Sequence, residues 1–418
     1  MGKLKTPIWE SVKISLSSLR ANKLRSILTL IGVIIGVTSI ITMVSLISGF
    51  NKLVADQLAT LGSTTFIVEK FGIILSDDDW FDAMKRKDLT LADYQAVVAG
   101  CTECEEVALQ KVSNRKVKYG REHFSRVPIV GITPNYMKVV ALDDIVDKGQ
   151  GRVITEFEND HRRQVVILGP ELTDKFFPML DPIGKKVRIG DADFTVVGVP
   201  KKRGSFLGDN QDRFAAIPFS VYQKYFSNKL EPWEGLQFYI KAKDYPSMEK
   251  AQDQVRAILR ARRHVPYHDK DDFGMYTAET LMDLFKQVTT GISFTLVGIV
   301  SISLLVGGIV IMNIMLVSVT ERTREIGVRK ALGARRRSIL SQFLIESVTL
   351  AVVGGTMGIL LGVFLAKLIS WTTPIPAAIE PWSILAGLLV STGVGVFFGV
   401  FPAAKAARLD PIEALRYE

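Results

Sequence analysis

Gln287–Thr320 reads QVTTGISFTLVGIVSISLLVGGIVIMNIMLVSVT, 34 residues without an Asp, Glu, Lys or Arg. A helix needs about 20 such residues to cross the hydrocarbon core of a bilayer, so this run predicts a membrane span. Three further runs lack the same four residue types, Ser26–Phe50, Ser347–Ala366 and Pro381–Ala404. The expected spans are 26–50 and, within 287–418, about 292–318, 345–368 and 382–404. The first run is longer than the roughly 7 to 15 residues of a signal-peptide core, so it reads as a retained span. Between Asn51 and Lys286 no charge-free run is long enough to span, and 51–286 is expected to be one large water-soluble domain.

Charge gives the orientation. The chain of 418 residues carries a net charge of +9, yet residues 51–286 hold 35 basic and 35 acidic residues, and the remainder 17 basic against 8 acidic. A nucleic-acid partner would need the excess on the soluble domain, and none is there. It lies instead at the membrane ends: Lys3, Lys5, Lys13, Arg20, Lys23 and Arg25 before the first span, and Arg322, Arg324, Arg329, Lys330 and Arg335–Arg337 after the second. Basic residues flanking spans stay in the cytosol. Both termini are therefore expected there, with 51–286 extracytoplasmic.

Ile8, Trp9, Val12, Leu16 and Leu19 share one helical face, so 1–25 reads as an amphipathic helix in the inner membrane interface. Leu53, Leu58 and Leu61 continue an apolar stripe beyond the first span, and Leu281, Leu284, Phe285 and Val288 lead into the second, which predicts two helical stalks. Inside the domain, 64–69, 107–112, 126–132, 163–168 and 236–241 alternate like strands. Lys186–Ile189 and Phe194–Val199 flank a Gly190-Asp191 turn as a hairpin, and 236–276 reads strand, helix, strand. The expectation is an α+β domain in two lobes.

Chemistry-bearing patterns are few. No stretch matches the phosphate-cradling G-x-x-x-x-G-K-[ST] loop, and His264-Val-Pro-Tyr-His268 has a proline where a zinc helix needs continuity. No catalytic, cofactor or metal site is expected in the chain. Cys101 and Cys104, the two cysteines, lie in the domain placed outside the cytosol, where a structural disulfide, free thiols or a redox pair are the alternatives. Gly32 with Gly36, and Gly354, Gly358 and Gly362, have the small-xxx-small spacing that lets helices approach closely in lipid, as do Gly395 and Gly399. Glu346 is an acid inside a span, either functional or paired with a basic residue at the inner interface. In 320–337, Glu321 with Arg324 and Glu325 with Arg329 have helical-pair spacing, and Gly333 follows Leu332 as a helix stop. Arg335–Arg337 open the third span against its dipole, which either orients the span or docks a cytosolic partner.

Three stretches carry a resemblance: Glu321–Ala334 (ERTREIGVRKALGA), the tail Pro402–Arg416 (PAAKAARLDPIEALR) and Leu24–Gly36 (LRSILTLIGVIIG). With Gln342–Glu346, the glycines of the third span, Gly151-Arg152, Asp181–Gly184 and Phe194–Gly198, the chain resembles MacB-type ABC transporter permeases. That family combines an FtsX-like permease domain with a MacB-like periplasmic core domain. The resemblance implies an inner-membrane permease subunit that works by mechanotransmission, passing ATP-driven motion to the outer domain for export. It implies two copies of a separate cytosolic ATPase that binds the ATP and Mg, a second permease copy or a paralogue, and a periplasmic adaptor. Glu321, Arg324, Glu325, Arg329, Lys330 and Gly333 fall on the family's ATPase-coupling segment, and 405–418 on its C-terminal helix. A porter-like lobe and a second lobe inserted at about 131–218 are implied as well. Relatives of the FtsX type that regulate a cell-wall hydrolase, and lipoprotein-releasing complexes, are the alternatives with the same fold.

Overall fold

The computed structural model describes residues 23–59, 61–140, 150–206, 209–226, 235–373 and 375–416. Most of the interface helix expected at 1–25 lies outside them. The chain divides into two compact units, one of 1–53 with 286–418 and one of 54–285.

The first helix, α1 (Lys23–Ala59), leads into β1 (Thr65–Glu69), α2 (Asp77–Lys85) and α3 (Leu91–Gly100). A long hairpin follows, β2 (Cys104–Tyr119) and β3 (Glu122–Ile132), then α4 (Tyr136–Val139), β4 (Gln150–Gly151), α5 (Glu156–Asp160), β5 (Val165–Leu168) and α6 (Pro170–Phe176). Next come β6 (Lys186–Ile189), β7 (Ala192–Val199), the short pair β8 (Ser205–Phe206) and β9 (Asp209–Asn210), and β10 (Ala215–Pro218). The unit is completed by α7 (Phe219–Phe226), β11 (Leu236–Ala242), α8 (Met248–Arg263) and β12 (Gly274–Thr277).

Unit 54–285 has two lobes that share one sheet. In the first lobe the order β12-β1-β11-β2 is antiparallel throughout. Alternation along a strand sends Phe66, Val68, Leu109, Phe238 and Ile240 to the face covered by Val97 of α3 and Ala251, Val255 and Leu259 of α8. Ile67, Ala108 and Tyr239 take the other face, with Val139 and Val140. Each fully buried side chain of this size contributes about 1.5 to 3 kcal/mol. One end of the helical layer is fastened by charge. Asp93 of α3 accepts from Arg262 Nε at 3.0 Å and Arg263 Nη1 at 3.2 Å, and Arg263 Nε also meets Asp272 at 2.8 Å. Cys101 and Cys104 are joined by a disulfide from the end of α3 to the start of β2, Cα atoms 5.5 Å apart.

The second lobe is a closed barrel. β2 pairs β3, β3 pairs β10, β10 pairs β5, β5 pairs β7, β7 pairs β6, and β6 returns to β2 through Val117 opposite Ile189. Val117, Val127, Ile129, Val166, Val187, Phe194, Val196 and Ile217 fill it, with Tyr222 and Phe226 of α7 closing one side. The lobe therefore draws on residues on both sides of 131–218, because the ring closes only if the outer halves of β2 and β3 belong to it. The turn between β6 and β7 is two residues long, and Gly190 adopts φ 58° there, a conformation open to glycine at little cost.

In the other unit, α9 (Ala278–Glu321), α10 (Thr323–Ala331), α11 (Arg336–Thr372), α12 (Pro381–Arg408) and α13 (Pro411–Arg416) follow. α1, α9, α11 and α12 are long and apolar enough to cross a membrane. Glycine sets their spacing. A Cβ on Gly32 would fall on the Gly307 backbone of α9, and one on Gly36 would lie 2.6 Å from Leu304 Cδ2. Gly354, Gly358 and Gly362 form a groove in α11 that receives Leu30, Val33, Val37 and Ile41 of α1. Thr38 Oγ1 donates to the Gly358 carbonyl at 3.0 Å across the same contact, supplying a polar bond where lipid offers none. Gly395 of α12 packs on Ala351 in the same manner, and Gly399 on Ser347.

Candidate functional site

α9 stops at Glu321 because Arg322 leaves the helical conformation, at φ −102° and ψ 13°, and α10 restarts at Thr323. Glu321 and Arg324 thus stand in different helices. Thr323, Ile326 and Gly327 form the buried stripe of α10. Ile326 packs into a core with Val319, Ile339, Phe343, Ala406 and Ala407. Gly333, at φ 91°, ends the segment just after Leu332, and the Gly333 and Ala334 N–H groups donate to the Lys330 and Arg329 carbonyls at 3.0 Å. This is the αL stop that glycine makes inexpensive. Arg335 is the N-cap of α11, so all three arginines lie at the start of a helix longer than the span expected at 345–368.

Three polar ties hold α10 against its neighbours, and a fourth bond runs along it. Arg329 donates to Glu325 one turn earlier and, through Nη1, to Gln342 Oε1 of α11 at 2.8 Å. Lys330 Nζ donates to the carbonyl of Leu409, the residue that links α12 to α13, and α13 packs against α10. Burial, then the nearby Arg336, holds the Lys330 ammonium below its ordinary pKa, with Asp410 opposing. Arg322 Nη1 lies 3.4 Å from both carboxylate oxygens of Glu346, whose side chain is 9% exposed. The intramembrane acid is thus paired, with a basic residue from the α9–α10 junction.

With 323, 326 and 327 turned inward, the outer face carries Arg324, Glu325, Val328 and Leu332. Val328 is 43% exposed, Leu332 84%, and Ile412 on α13 79%. Val328 and Leu332 are four apart and therefore neighbours on one face. Sequence reading singled out the charges here and missed these apolar residues. Their only signal was a position off the 323, 326, 327 stripe, which packing alone reveals. Isolated apolar anchors inside a charged rim are the usual composition of a protein-docking face. Among the described residues no cluster of His, Cys, Asp and Glu could hold a metal ion.

Residues 26–258 match the family described as MacB-like periplasmic core domain, and 297–411 the FtsX-like permease C-terminal family. A relative from Bdellovibrio bacteriovorus, named macrolide export ATP-binding/permease protein MacB, is 33% identical over 408 residues, 96% of this chain and 60% of that one. The protein of the same name from Mannheimia succiniciproducens is 33% identical over 418 residues, 99% and 62% of the two chains. The chain thus spans about three fifths of the length of these curated relatives. Among solved structures, the periplasmic region of MacB from Actinobacillus actinomycetemcomitans covers 56% of this chain and 97% of its own, at 19% identity and a TM-score of 0.43.

Proposed function

Because the chain belongs to the family of MacB-type permeases, we propose that it is the membrane subunit of an export machine, with α10 receiving a cytosolic ATPase. The observation that carries this reading is the outward face of α10 and α13, where Val328, Leu332 and Ile412 stand exposed among Arg324, Glu325 and Arg335–Arg337. An exposed Leu on a helix tied down by Arg329, Lys330 and Arg322 is a rigid anchor, and a rigid anchor loses little entropy on docking.

ATP and Mg are bound by the ATPase, two copies of which serve two permeases, identical or paralogous. α10 receives the displacement when nucleotide is hydrolysed. Its bonds to Gln342 and Leu409 pass that displacement to α11 and to the α12–α13 link, and α1 and α9 carry it toward residues 54–285. Close glycine contacts suit this role, since helices packed backbone to backbone move together. An adaptor in the extracytoplasmic space receives the cargo, and the protein lies in the inner membrane with both termini in the cytosol.

The test is a charge reversal. Glu325→Arg with Arg329→Glu keeps a helical ion pair worth about 0.2 to 0.5 kcal/mol. It forfeits the bond to Gln342, roughly 1 kcal/mol, and inverts the charge shown to the partner. The variant is expected to insert and fold, and to lose the co-purifying ATPase or its coupling to transport, because truncating a docking hot spot costs about 1 to 4 kcal/mol. Full ATPase association with full transport would show that the segment serves membrane orientation alone.

A further inference from the structure

The outer wall of the barrel is basic. Alternation along β6 turns Val187 and Ile189 inward and leaves Lys186 and Arg188 exposed, and β2 buries Val117 between exposed Lys116 and Lys118. Register joins these into one face, because Lys118 stands opposite Arg188 of β6 on one side and opposite His123 of β3 on the other. Arg121 at the β2–β3 turn, Arg126 of β3 and Lys185 before β6 are exposed as well. The acids of the same strands and turns are Glu122, Asp191 and Asp193, three against seven lysines and arginines. Among the described residues Arg188 alone of these cations forms an ion pair, with Asp193 at 2.9 Å, and Glu122 is engaged by Lys175 of α6 at 3.6 Å. Residues 227–234, outside the described set, add Lys229, Glu231 and Glu234 and leave the excess positive even if all are counted. Residues 141–149 lead into β4, which pairs β7 at Gly198 and Val199, whereas β6 pairs the opposite end of β7 at Ala192–Thr195. Like charges opposite one another in a sheet are destabilising, so Lys118 against Arg188 costs the barrel stability and the fold does not account for it.

An apolar loop projects beside this face. Phe177 packs on Tyr119 with ring centroids 4.4 Å apart, which brings the α6–β6 connection to the end of the β2–β3 hairpin. From that connection Met179, 95% exposed, and Leu180, 57% exposed, stand out. The loop is held by its backbone. The Leu180 N–H donates to the Phe177 carbonyl at 3.3 Å, the Ile183 N–H to Asp181 Oδ1 at 2.9 Å and the Gly184 N–H to the Val196 carbonyl at 2.8 Å. A tethered apolar prong loses little entropy on docking, and apolar anchors rimmed by charge are the usual make-up of a protein interface.

We infer that the basic wall of β6, β2 and β3, with Met179 and Leu180 at its end, docks an acidic amphipathic segment of a second extracytoplasmic protein. Same-face cations on β2 and β6 recur about every 7 Å, close to the roughly 5 to 6 Å between acids one turn apart on a helix. Charge balance selects a protein over a lipid surface or a polyanion. Residues 51–286 hold 35 basic and 35 acidic residues, so the domain as a whole exerts no pull on an anionic sheet or polymer. A local patch on a neutral domain works against a partner of local complementarity. This surface lies outside the export reading, which rests on α10.

The test places a photo-reactive amino acid at position 179 or 118 of the full chain and irradiates membranes of the native host, with mass spectrometry of the cross-linked peptides. Both positions are expected to give the same foreign chain, joined through a segment rich in Asp and Glu, and position 267, at the 90% exposed Tyr267 of the first lobe, is expected to give none of it. Lys116→Glu with Lys118→Glu should lower the yield at 179 at least about tenfold, and lysines in place of the partner's acids should restore it. The reversal also removes a like-charge opposition to Arg188, so in phosphatidylcholine nanodiscs the variant should melt no lower than the parent. If it melts lower, Met179→Ser read at position 118 decides instead, with loss of the cross-link expected. Cross-links at 118 and 179 to phospholipid, to a second copy of this chain or to nothing, equal capture of the same chain at 267, or a yield unchanged by the substitutions would overturn the surface. These substitutions leave α10 untouched, so failure here leaves the coupling reading standing, and loss of coupling leaves this surface standing.

Discussion

Breaking the Arg322–Glu346 pair should cost far more than replacing it. At 3.4 Å and an effective dielectric near 20, the attraction is about 5 kcal/mol. Against it stands the desolvation of both groups, several kcal/mol per ion when burial is complete. Glu346 is buried and Arg322 is 28% exposed at its side chain, so the two quantities nearly cancel and the intact pair is worth little net. Arg322→Met removes the attraction but leaves the carboxylate buried. The expected loss is about 2 to 4 kcal/mol, below the ~3 to 5 of a wholly buried pair because water reaches the Arg322 side. Glu346→Gln should cost less, and the double variant should return to within about 1 kcal/mol of the parent. Arg322 makes a further interaction besides this pair, so the single values matter less than the cycle built from them. The assay is reversible unfolding in mixed micelles titrated with SDS, and the expected coupling energy is about 2 kcal/mol. Additivity of the two single variants within about 0.5 kcal/mol would refute the pairing.

Acid should loosen unit 54–285 in a defined window. Burial pushes the Asp93 carboxyl up, but the Thr90 N–H and hydroxyl, then Arg263 and Arg262, overcome it and hold its pKa below the usual value. A depressed folded-state pKa contributes stability that is complete above the unfolded value of about 3.9 and is lost as pH falls through the folded value. The melting temperature should therefore be flat near neutrality and drop below about pH 4, less steeply in Asp93→Asn, and identical slopes would contradict the assignment. For topology, cysteines at the exposed positions Ser205 and Ser338, in a chain lacking Cys101 and Cys104, should react with an impermeant thiol reagent only from outside and only from inside, respectively. Labelling of position 338 from outside would reverse the orientation.

The spans were legible because charge-free length is a local property, and the strands of the first lobe because alternation is. The barrel was not, since its closure depends on β6 pairing with both β2 and β7, and β2 begins 82 residues before β6 does, Cys104 against Lys186. The same limit governs the candidate site. Sequence placed Glu346 near several basic residues and could not select Arg322, which lies 24 positions upstream and reaches it only through the turn between α9 and α10. Lys330 and the Leu409 carbonyl are 79 residues apart and meet by helix packing. Val328 and Leu332 look like core residues by type, and only the inward turn of Ile326 and Gly327 leaves them outside.

The most direct measurement places a photo-reactive amino acid at position 332 and irradiates membranes of the native host. Leu332 is 84% exposed, so the substitution leaves packing intact. The account predicts a cross-link to a chain carrying a nucleotide-binding loop, strong at 332 and 328, absent at the buried position 326, and diminished in Glu325→Arg with Arg329→Glu. Cross-links at 332 that contain no nucleotide-binding protein, in membranes where the transporter is active, would contradict it.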